Sequence, residues 1–133
     1  MNKQRIISII KKHKKLFRVA LGLFNKVPFN NSWGGVKPNI GLSIVKGCKI
    51  VNRGQNNRIV IGDYSRLLDC TITIRGNDNI IRIGNLCTCK QAVFCIEDNC
   101  NVIELGNETS LCGQIQLAAI EHTTIKIGEK CLF

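Results

Sequence analysis

The residues of this sequence that could carry chemistry are two histidines and eight cysteines. His13 lies in a strongly basic stretch near the N-terminus. His122 falls in line with Cys100 and Asp78 when residues are counted in steps of 22. An Asp, a Cys and a His at one turn could bind a metal. Because the three ligands differ and the repeat shifts nearby, we predict an exposed corner histidine and no metal site.

The cysteine spacings do not favour a metal site or a nucleophile. Cys87 and Cys89 are separated by one residue, unlike the usual zinc pairs, and no cysteine has a base near it in sequence. Cys48 and Cys70 lie 22 residues apart and could face each other closely enough for a disulfide if oxidised. No signal peptide or apolar span of about 18 residues is visible. We therefore expect reduced packing thiols in the cytoplasm, with an exported disulfide scaffold as the alternative.

These residues are set in a repeat of 22 residues. Four glycines recur at that interval, each directly after Ile or Leu: Gly62, Gly84, Gly106 and Gly128. Two apolar columns precede them, with a mostly charged column between: Ile59, Ile81, Ile103 and Ile125; Ile61, Ile83, Leu105 and Ile127; Val60, Arg82, Glu104 and Lys126. Apolar residues at i and i+2 indicate strands with one side buried. We predict a solenoid in which Arg82, Glu104 and Lys126 pair along the stack.

Further columns predict the corners of each coil. Asn57, Asn79, Asn101 and Thr123 predict one corner with an asparagine ladder, and the glycine column predicts a second corner with positive φ. A third apolar strand is carried by Ile72, Ile74, Phe94 and Ile96. In the next coil Gln116 and Ala118 take those places beside Ile115 and Leu117, which predicts a one-residue shift or a bulge.

The sequence therefore predicts an all-β solenoid, a parallel β-helix with 22-residue coils. The general crossover rule favours right-handed winding, and the periodicity alone does not determine the hand. The alternative is a β-sandwich with a chance period. The predicted organisation is a basic amphipathic α-helix over residues 1–26, a linker over residues 27–39 and a β-helix over residues 40–133. The β-helix is incomplete, since it has no C-terminal cap.

Charge is concentrated at the N-terminus. The net charge is +10, and residues 1–26 hold eight Lys or Arg and no acidic residue. Residues 3–25 are therefore predicted to dock on an anionic membrane surface, with capping of the solenoid as the alternative. Nucleic-acid binding is not expected, because no aromatic residues are interleaved with the basic ones. Trp33 is expected to anchor the linker on the first coil or on a neighbouring subunit.

Three stretches resemble the hexapeptide-repeat acyltransferases, and more closely the acetyltransferases of bacterial surface-polysaccharide gene clusters. They read GNDNIIRIG at residues 76–84, IED at 96–98 and AIEHTTIKIGEKCLF at 119–133. The resemblance to the family extends over residues 40–133. The resemblance implies a left-handed β-helix and a homotrimer. It also implies acetyl-CoA as donor, bound in the cleft between adjacent β-helices, and a sugar or polysaccharide as acceptor.

The chain departs from that family where the catalytic histidine is expected. In the family an Asp-x-His-like motif follows the segment that resembles residues 127–133, so the base that deprotonates the acceptor hydroxyl is expected beyond Phe133. No residue of this chain is predicted to be catalytic, and His122 is only an outside candidate. We therefore expect a truncated, inactive acyltransferase-type β-helix. The alternative is a non-enzymatic scaffold or binding module in the cytoplasm, peripheral at the inner face of the plasma membrane.

Overall fold

Every strand of the molecule pairs in parallel with the strand one repeat before or after it. The structure is a computed structural model that describes residues 33–36 and 38–133, so the predicted helix over residues 1–26 lies outside the described residues. The strands are β1 (Asn39–Ile40), β2 (Ile44–Lys46), β3 (Lys49–Arg53), β4 (Arg58–Ile61), β5 (Arg66–Leu68), β6 (Thr71–Arg75), β7 (Ile80–Ile83), β8 (Thr88–Lys90), β9 (Val93–Glu97), β10 (Val102–Leu105), β11 (Ser110–Cys112), β12 (Gln116–Ile120) and β13 (Thr124–Ile127).

The strands form three parallel sheets, which are the three faces of a solenoid. Face 1 has the order β1-β4-β7-β10-β13, face 2 has β2-β5-β8-β11 and face 3 has β3-β6-β9-β12. Each coil therefore contributes one strand to each face. The pairing of Ile59 with Ile81 and of Ile103 with Ile125 gives the coil a length of 22 residues. The prediction of an all-β parallel solenoid is confirmed, and the β-sandwich alternative is wrong.

We number the coils from the N-terminal end: coil 1 (38–57), coil 2 (58–79), coil 3 (80–101), coil 4 (102–123) and coil 5 (124–133). The predicted apolar columns fill their interior. Ile81 and Ile103 are 0 % exposed, and Phe94 and Ile96 on β9 are equally buried. Each buried side chain of this size stabilises the fold by about 1.5–3 kcal/mol. No helix in the described part of the chain is long and apolar enough to cross a membrane.

The predicted one-residue shift is confirmed, and it lies in the corners rather than in a bulge. β12 pairs with β9 at an interval of 23 residues, Leu117 opposite Phe94, whereas β13 keeps the interval of 22 with β10. The extra residue enters between β11 and β12, where Gly113 has a φ of 92°. One residue fewer is present between β12 and β13. The strands themselves therefore stay regular, and Leu117 and Ala119 face the core.

Each corner has a left-handed residue at an equivalent position in every coil, and corner 1 has a second residue with positive φ in three coils: Gly76, Asp98 and Glu121. Corner 1 joins face 3 to face 1, corner 2 joins face 1 to face 2, and corner 3 joins face 2 to face 3. The left-handed residues of corner 1 are Asn56, Asp78, Cys100 and His122; those of corner 2 are Tyr64, Leu86, Glu108 and Lys130; those of corner 3 are Gly47, Asp69, Gln91 and Gly113. From Asn56 to Tyr64 is eight residues, from there to Asp69 five, and on to Asp78 nine. The corners therefore do not follow a six-residue rhythm.

The expectation that the glycine column has positive φ is wrong. Gly62, Gly84, Gly106 and Gly128 all lack a left-handed backbone. Gly62, Gly84 and Gly106 are required by the close approach of the next coil. A Cβ at Gly62 would lie 2.8 Å from the carbonyl oxygen of Gly84, and one at Gly106 would lie 2.6 Å from the carbonyl carbon of Gly128. The expected left-handed residue comes two positions later in the same corner.

The two ends of the solenoid differ. At the N-terminal end Trp33 packs against the core, and Gly34 lies so close to β3 that a Cβ there would be 2.4 Å from the carbonyl oxygen of Ile50. Trp33 therefore contacts its own solenoid, as expected if it anchors the linker on the first coil. At the other end Ile120 is 43 %, Leu132 78 % and Phe133 54 % exposed. These three form the exposed apolar end of the described residues.

Candidate functional site

A groove of about 530 Å³ runs along the edge between face 1 and corner 2. Its lining includes the outward residues of β7, β10 and β13 and the glycine column: Arg82, Glu104, Lys126, Gly62, Gly84, Gly106 and Gly128. Because the glycines carry no side chains, the charged column forms one wall beside a floor that is largely backbone. We call this feature the face-1 groove.

Two cations and one acid alternate along the strand wall of the face-1 groove, and Glu129 adds a second acid to its lining. The sheet register places Glu104 between Arg82 and Lys126, as predicted. The predicted pairing of these charges is not found. Among the described residues, the ion pairs within 4.0 Å are Arg75 with Glu97 and Lys130 with Glu108. Arg82 and Lys126 are exposed, so both cations are available to an anionic ligand in the groove.

His122 does not line the face-1 groove. It lies exposed at corner 1 with a φ of 57°, in the column of Cys100 and Asp78. Within residues 33–36 and 38–133, no three His, Cys, Asp or Glu side chains are grouped so that they could hold a metal ion. The second histidine, His13, lies outside the described residues. None of the described residues that line the groove is therefore a histidine that could act as a general base.

The cysteines of the core are thiols, and Cys48 and Cys70 do face each other on neighbouring coils. Hydrogen bonding to Cys70, together with burial, raises the pKa of Cys48. The same hydrogen bond from Cys48 lowers the pKa of Cys70. Burial raises the pKa of Cys89 to about 12, and burial also raises the pKa of Cys87. These thiols point into the core and do not line the groove, which favours packing over nucleophilic chemistry.

The asparagine ladder at corner 1 is present, and it connects four coils. The side chain of Asn79 donates to Oδ1 of Asn57 at 3.1 Å, and that of Asn101 donates to Oδ1 of Asn79 at 3.2 Å. The ladder ends where the Thr123 backbone N–H donates to Asn101 Oδ1 at 2.8 Å. Asn79 and Asn101 are 0 % exposed. The ladder holds the corner from inside the coil, while the residue before each asparagine takes the left-handed conformation.

A second ladder at corner 2 was not foreseen from the sequence. Its members are small hydrogen-bonding residues at the 22-residue interval: Ser43, Ser65, Cys87, Thr109 and Cys131. Ser65 Oγ accepts the Cys87 backbone N–H at 3.1 Å and donates to the Gly84 carbonyl at 2.7 Å. Thr109 Oγ1 likewise donates to the Gly128 carbonyl at 2.7 Å. The sequence signal for this ladder is a hydroxyl or thiol side chain at every 22nd residue, although the residue type changes from coil to coil. This ladder fixes the glycine column that forms the groove floor.

Comparisons of this chain with protein-family models, with curated proteins and with solved structures found no match.

Proposed function

We propose that this chain is a β-helix subunit of the acyltransferase type, with acetyl-CoA as donor and a hydroxyl group of a surface polysaccharide or sugar as acceptor. The observation that carries the proposal is the face-1 groove on a three-sided parallel solenoid. A groove with a backbone floor and two cations on its wall suits an extended ligand that carries phosphates. The resemblance of residues 76–84 and 119–133 to polysaccharide acetyltransferases supplies the donor and the acceptor.

In this proposal the left-handed solenoid forms a homotrimer, and the face-1 groove contributes one wall of the cleft between adjacent subunits. Arg82 and Lys126 contact the phosphates of the donor. The six-residue rhythm of the resembling family is absent from the corners, whose spacings are eight, five and nine residues. The proposal therefore rests on the groove and on the strand sequences rather than on corner spacing.

Acyl transfer also needs a general base, which takes the proton of the acceptor hydroxyl as its oxygen attacks the thioester carbonyl. His122 cannot serve a donor in the face-1 groove, because it lies at corner 1. We accordingly propose that residues 1–133 bind the donor and do not transfer its acyl group. Thiol release from acetyl-CoA in the presence of sugar acceptors would measure this, and acceptor-dependent release by the 133-residue chain would contradict it.

Donor binding is tested by titration calorimetry with CoA. The double variant Arg82→Gln/Lys126→Gln should bind CoA at least about 100-fold more weakly, because each charge-assisted hydrogen bond contributes about 1.5–3 kcal/mol. The matched control is Arg53→Gln/Arg58→Gln, which removes the same charge from exposed residues outside the groove lining. Equal affinities of the two double variants would overturn the assignment of the groove. Sedimentation equilibrium of the same samples tests the trimer.

A second function is favoured by the distribution of charge along the solenoid axis. Coil 1 carries cations only, Lys46, Lys49 and Arg53, whereas coil 4 carries acids only, Glu104, Glu108 and Glu121. The eight basic residues of the 1–26 segment lie on the same side of the sequence as the cationic coil. We propose, as the second candidate, a non-enzymatic scaffold that is held at an anionic membrane surface by its N-terminal half.

Vesicle binding tests this second function. The whole chain should bind vesicles of phosphatidylcholine with phosphatidylserine, and binding should weaken as the salt concentration rises, because exposed charges are screened. Deleting residues 1–26 should lower the affinity. Equal binding to vesicles of phosphatidylcholine alone would contradict an electrostatic attachment.

A further inference from the structure

Face 2 differs from the other two faces in the charges that it presents. Its exposed strand residues include Lys46 on β2, Arg66 on β5 and Lys90 on β8, one from each of the first three coils. No acidic residue lies on any strand of this face. By contrast, face 1 carries Glu104 and face 3 carries Glu97. Face 2 is therefore the solenoid surface whose strands carry positive charge alone.

The three cations lie close together on adjacent strands, and the two lysines are level with each other along the strand direction. Lys46 and Lys90 both pair with Leu68, from opposite sides of β5. Because neighbouring strands lie about 4.8 Å apart, the Cα atoms of the two lysines are about 10 Å apart. Arg66 is two residues before Leu68 on the same strand, so it points outward with them. Within the described part of the chain none of the three side chains has an ion-pair partner within 4.0 Å. The cations thus form a small positively charged group on the strands of face 2, and the first acid along the chain after β5 is Asp69 at corner 3.

We propose that face 2 is the surface by which the solenoid lies against an anionic membrane, with the solenoid axis parallel to the bilayer. This inference rests on the second proposed function and adds an orientation to it. A planar group of cations matches a planar anionic surface. The strands of face 2 carry no aromatic side chain, which sugars or bases would need for stacking. The basic residues of the 1–26 segment add to the same attraction.

Corner 1 lies opposite face 2 on the three-sided solenoid, so the proposal predicts which side faces solvent. Cys112 is an exposed residue on β11 of face 2, and Cys100 is an exposed residue at corner 1. In the proposed orientation the bilayer covers Cys112 and leaves Cys100 open. The two native thiols are therefore reporters that require no substitution.

The first test removes charge from face 2 in the full chain. The triple variant Lys46→Gln/Arg66→Gln/Lys90→Gln should partition about 100-fold less onto vesicles with phosphatidylserine, since a basic residue near such a surface contributes about fivefold. The matched control is Lys49→Gln/Arg53→Gln/Arg58→Gln. It removes three exposed cations from strands of faces 1 and 3, outside the face-1 groove, and it should keep binding within a few-fold of the unchanged protein. Circular dichroism confirms that both variants are folded.

The second test follows alkylation of the two thiols by N-ethylmaleimide, resolved by peptide mass spectrometry. Vesicles should slow the alkylation of Cys112 in proportion to the bound fraction, and Cys100 should keep its rate. Binding without protection of Cys112, or equal losses in the two triple variants, would overturn the orientation and leave membrane attachment standing. No binding to anionic vesicles would overturn both. If polygalacturonate binds more tightly than the vesicles and loses affinity only in the face-2 variant, the membrane assignment is wrong.

Discussion

At the scale of single residues, the buried amides of corner 1 hold neighbouring coils together. Asn79 accepts both the backbone N–H and the side-chain N–H of Asn101, at 2.8 and 3.2 Å, and donates to the Asp98 carbonyl at 2.9 Å. Asn79→Ala leaves the buried Asn101 backbone N–H without its partner, which costs about 1–3 kcal/mol, and also removes the two side-chain hydrogen bonds. We expect the free energy of unfolding in urea to fall by about 3 kcal/mol.

The control for this prediction lies two residues away. Asn77 Oδ1 accepts the Gln55 backbone N–H at 2.8 Å, but this contact is exposed and water can replace it. Asn77→Ala should therefore cost less than about 1 kcal/mol. If Asn77→Ala and Asn79→Ala destabilise the solenoid equally, the ladder stabilises the corner by its turn conformation and not by the burial of its amides.

Burial of Cys89 makes the free energy of unfolding fall as the pH rises in the alkaline range. The pKa of its thiol is raised from about 9 to about 12, chiefly by desolvation. The folded state therefore holds the proton where the unfolded state loses it, so the stabilisation is complete below pH 9 and is lost as pH rises towards 12. Between pH 8 and pH 10 this residue should lower the free energy of unfolding by about 1.3 kcal/mol.

Urea unfolding at the two pH values isolates this contribution. In Cys89→Ala the free energy of unfolding should fall by about 1.3 kcal/mol less between pH 8 and pH 10 than in the unchanged protein. This difference does not depend on how stable the variant is at pH 8. Leu111→Ala opens a cavity in the same interior column without removing a titrating group, and it should keep the dependence of the unchanged protein. A Cys89→Ala variant with the full pH dependence would contradict the prediction.

At the scale of elements, the glycine column sets the distance between coils. A Cβ at Gly106 would lie 2.6 Å from the carbonyl carbon of Gly128, whereas one at Gly128 would meet nothing within 4 Å. Because the atoms facing Gly106 belong to the backbone, Gly106→Ala must push β13 away and should cost about 1–3 kcal/mol. Gly128→Ala should be neutral within about 0.5 kcal/mol. Thermal unfolding of the two variants measures the difference, and equal losses would mean that local turn conformation explains the column.

At the scale of the whole molecule, the 22-residue interval predicted the solenoid because stacking repeats the same environment once per coil. Ile81 and Ile103 therefore reveal an interior strand position, and Asn79 and Asn101 reveal a buried corner. The interval could not show why a residue type recurs at a given position. A glycine can recur because a turn needs positive φ or because the next coil comes close, and only the contact of Gly106 with the backbone of Gly128 shows that the second reason applies. The hydroxyl ladder of Ser65 and Thr109 was missed because its members share a hydrogen bond rather than a residue type.

The candidate sites were harder to predict for a related reason. The 22-residue interval places Lys46 and Lys90 in one column with Leu68, but it does not show where each strand ends and hence that no acidic residue lies on the strands of that face. Periodicity also aligned Arg82 with Glu104, but it could not show that the side chains stay further apart than an ion pair. The charge pattern of the surface therefore depends on strand bounds and side-chain distances, whereas the interior follows from the period.

Stability should also vary along the axis, because among the described residues coil 3 has a neighbouring coil on both sides and coil 5 on one side. Phe94 and Ile96 of coil 3 are 0 % exposed, whereas Ile125 and Ile127 of coil 5 are partly exposed. In a solenoid each coil is stabilised mainly by its neighbours, so the exposed end should open most often. Hydrogen exchange should be slowest in peptides of residues 80–97 and fastest in residues 124–133. Uniform protection that persists on dilution would show that the solenoid opens as one cooperative unit, and protection of 124–133 that is lost on dilution would show that a second molecule covers the apolar end.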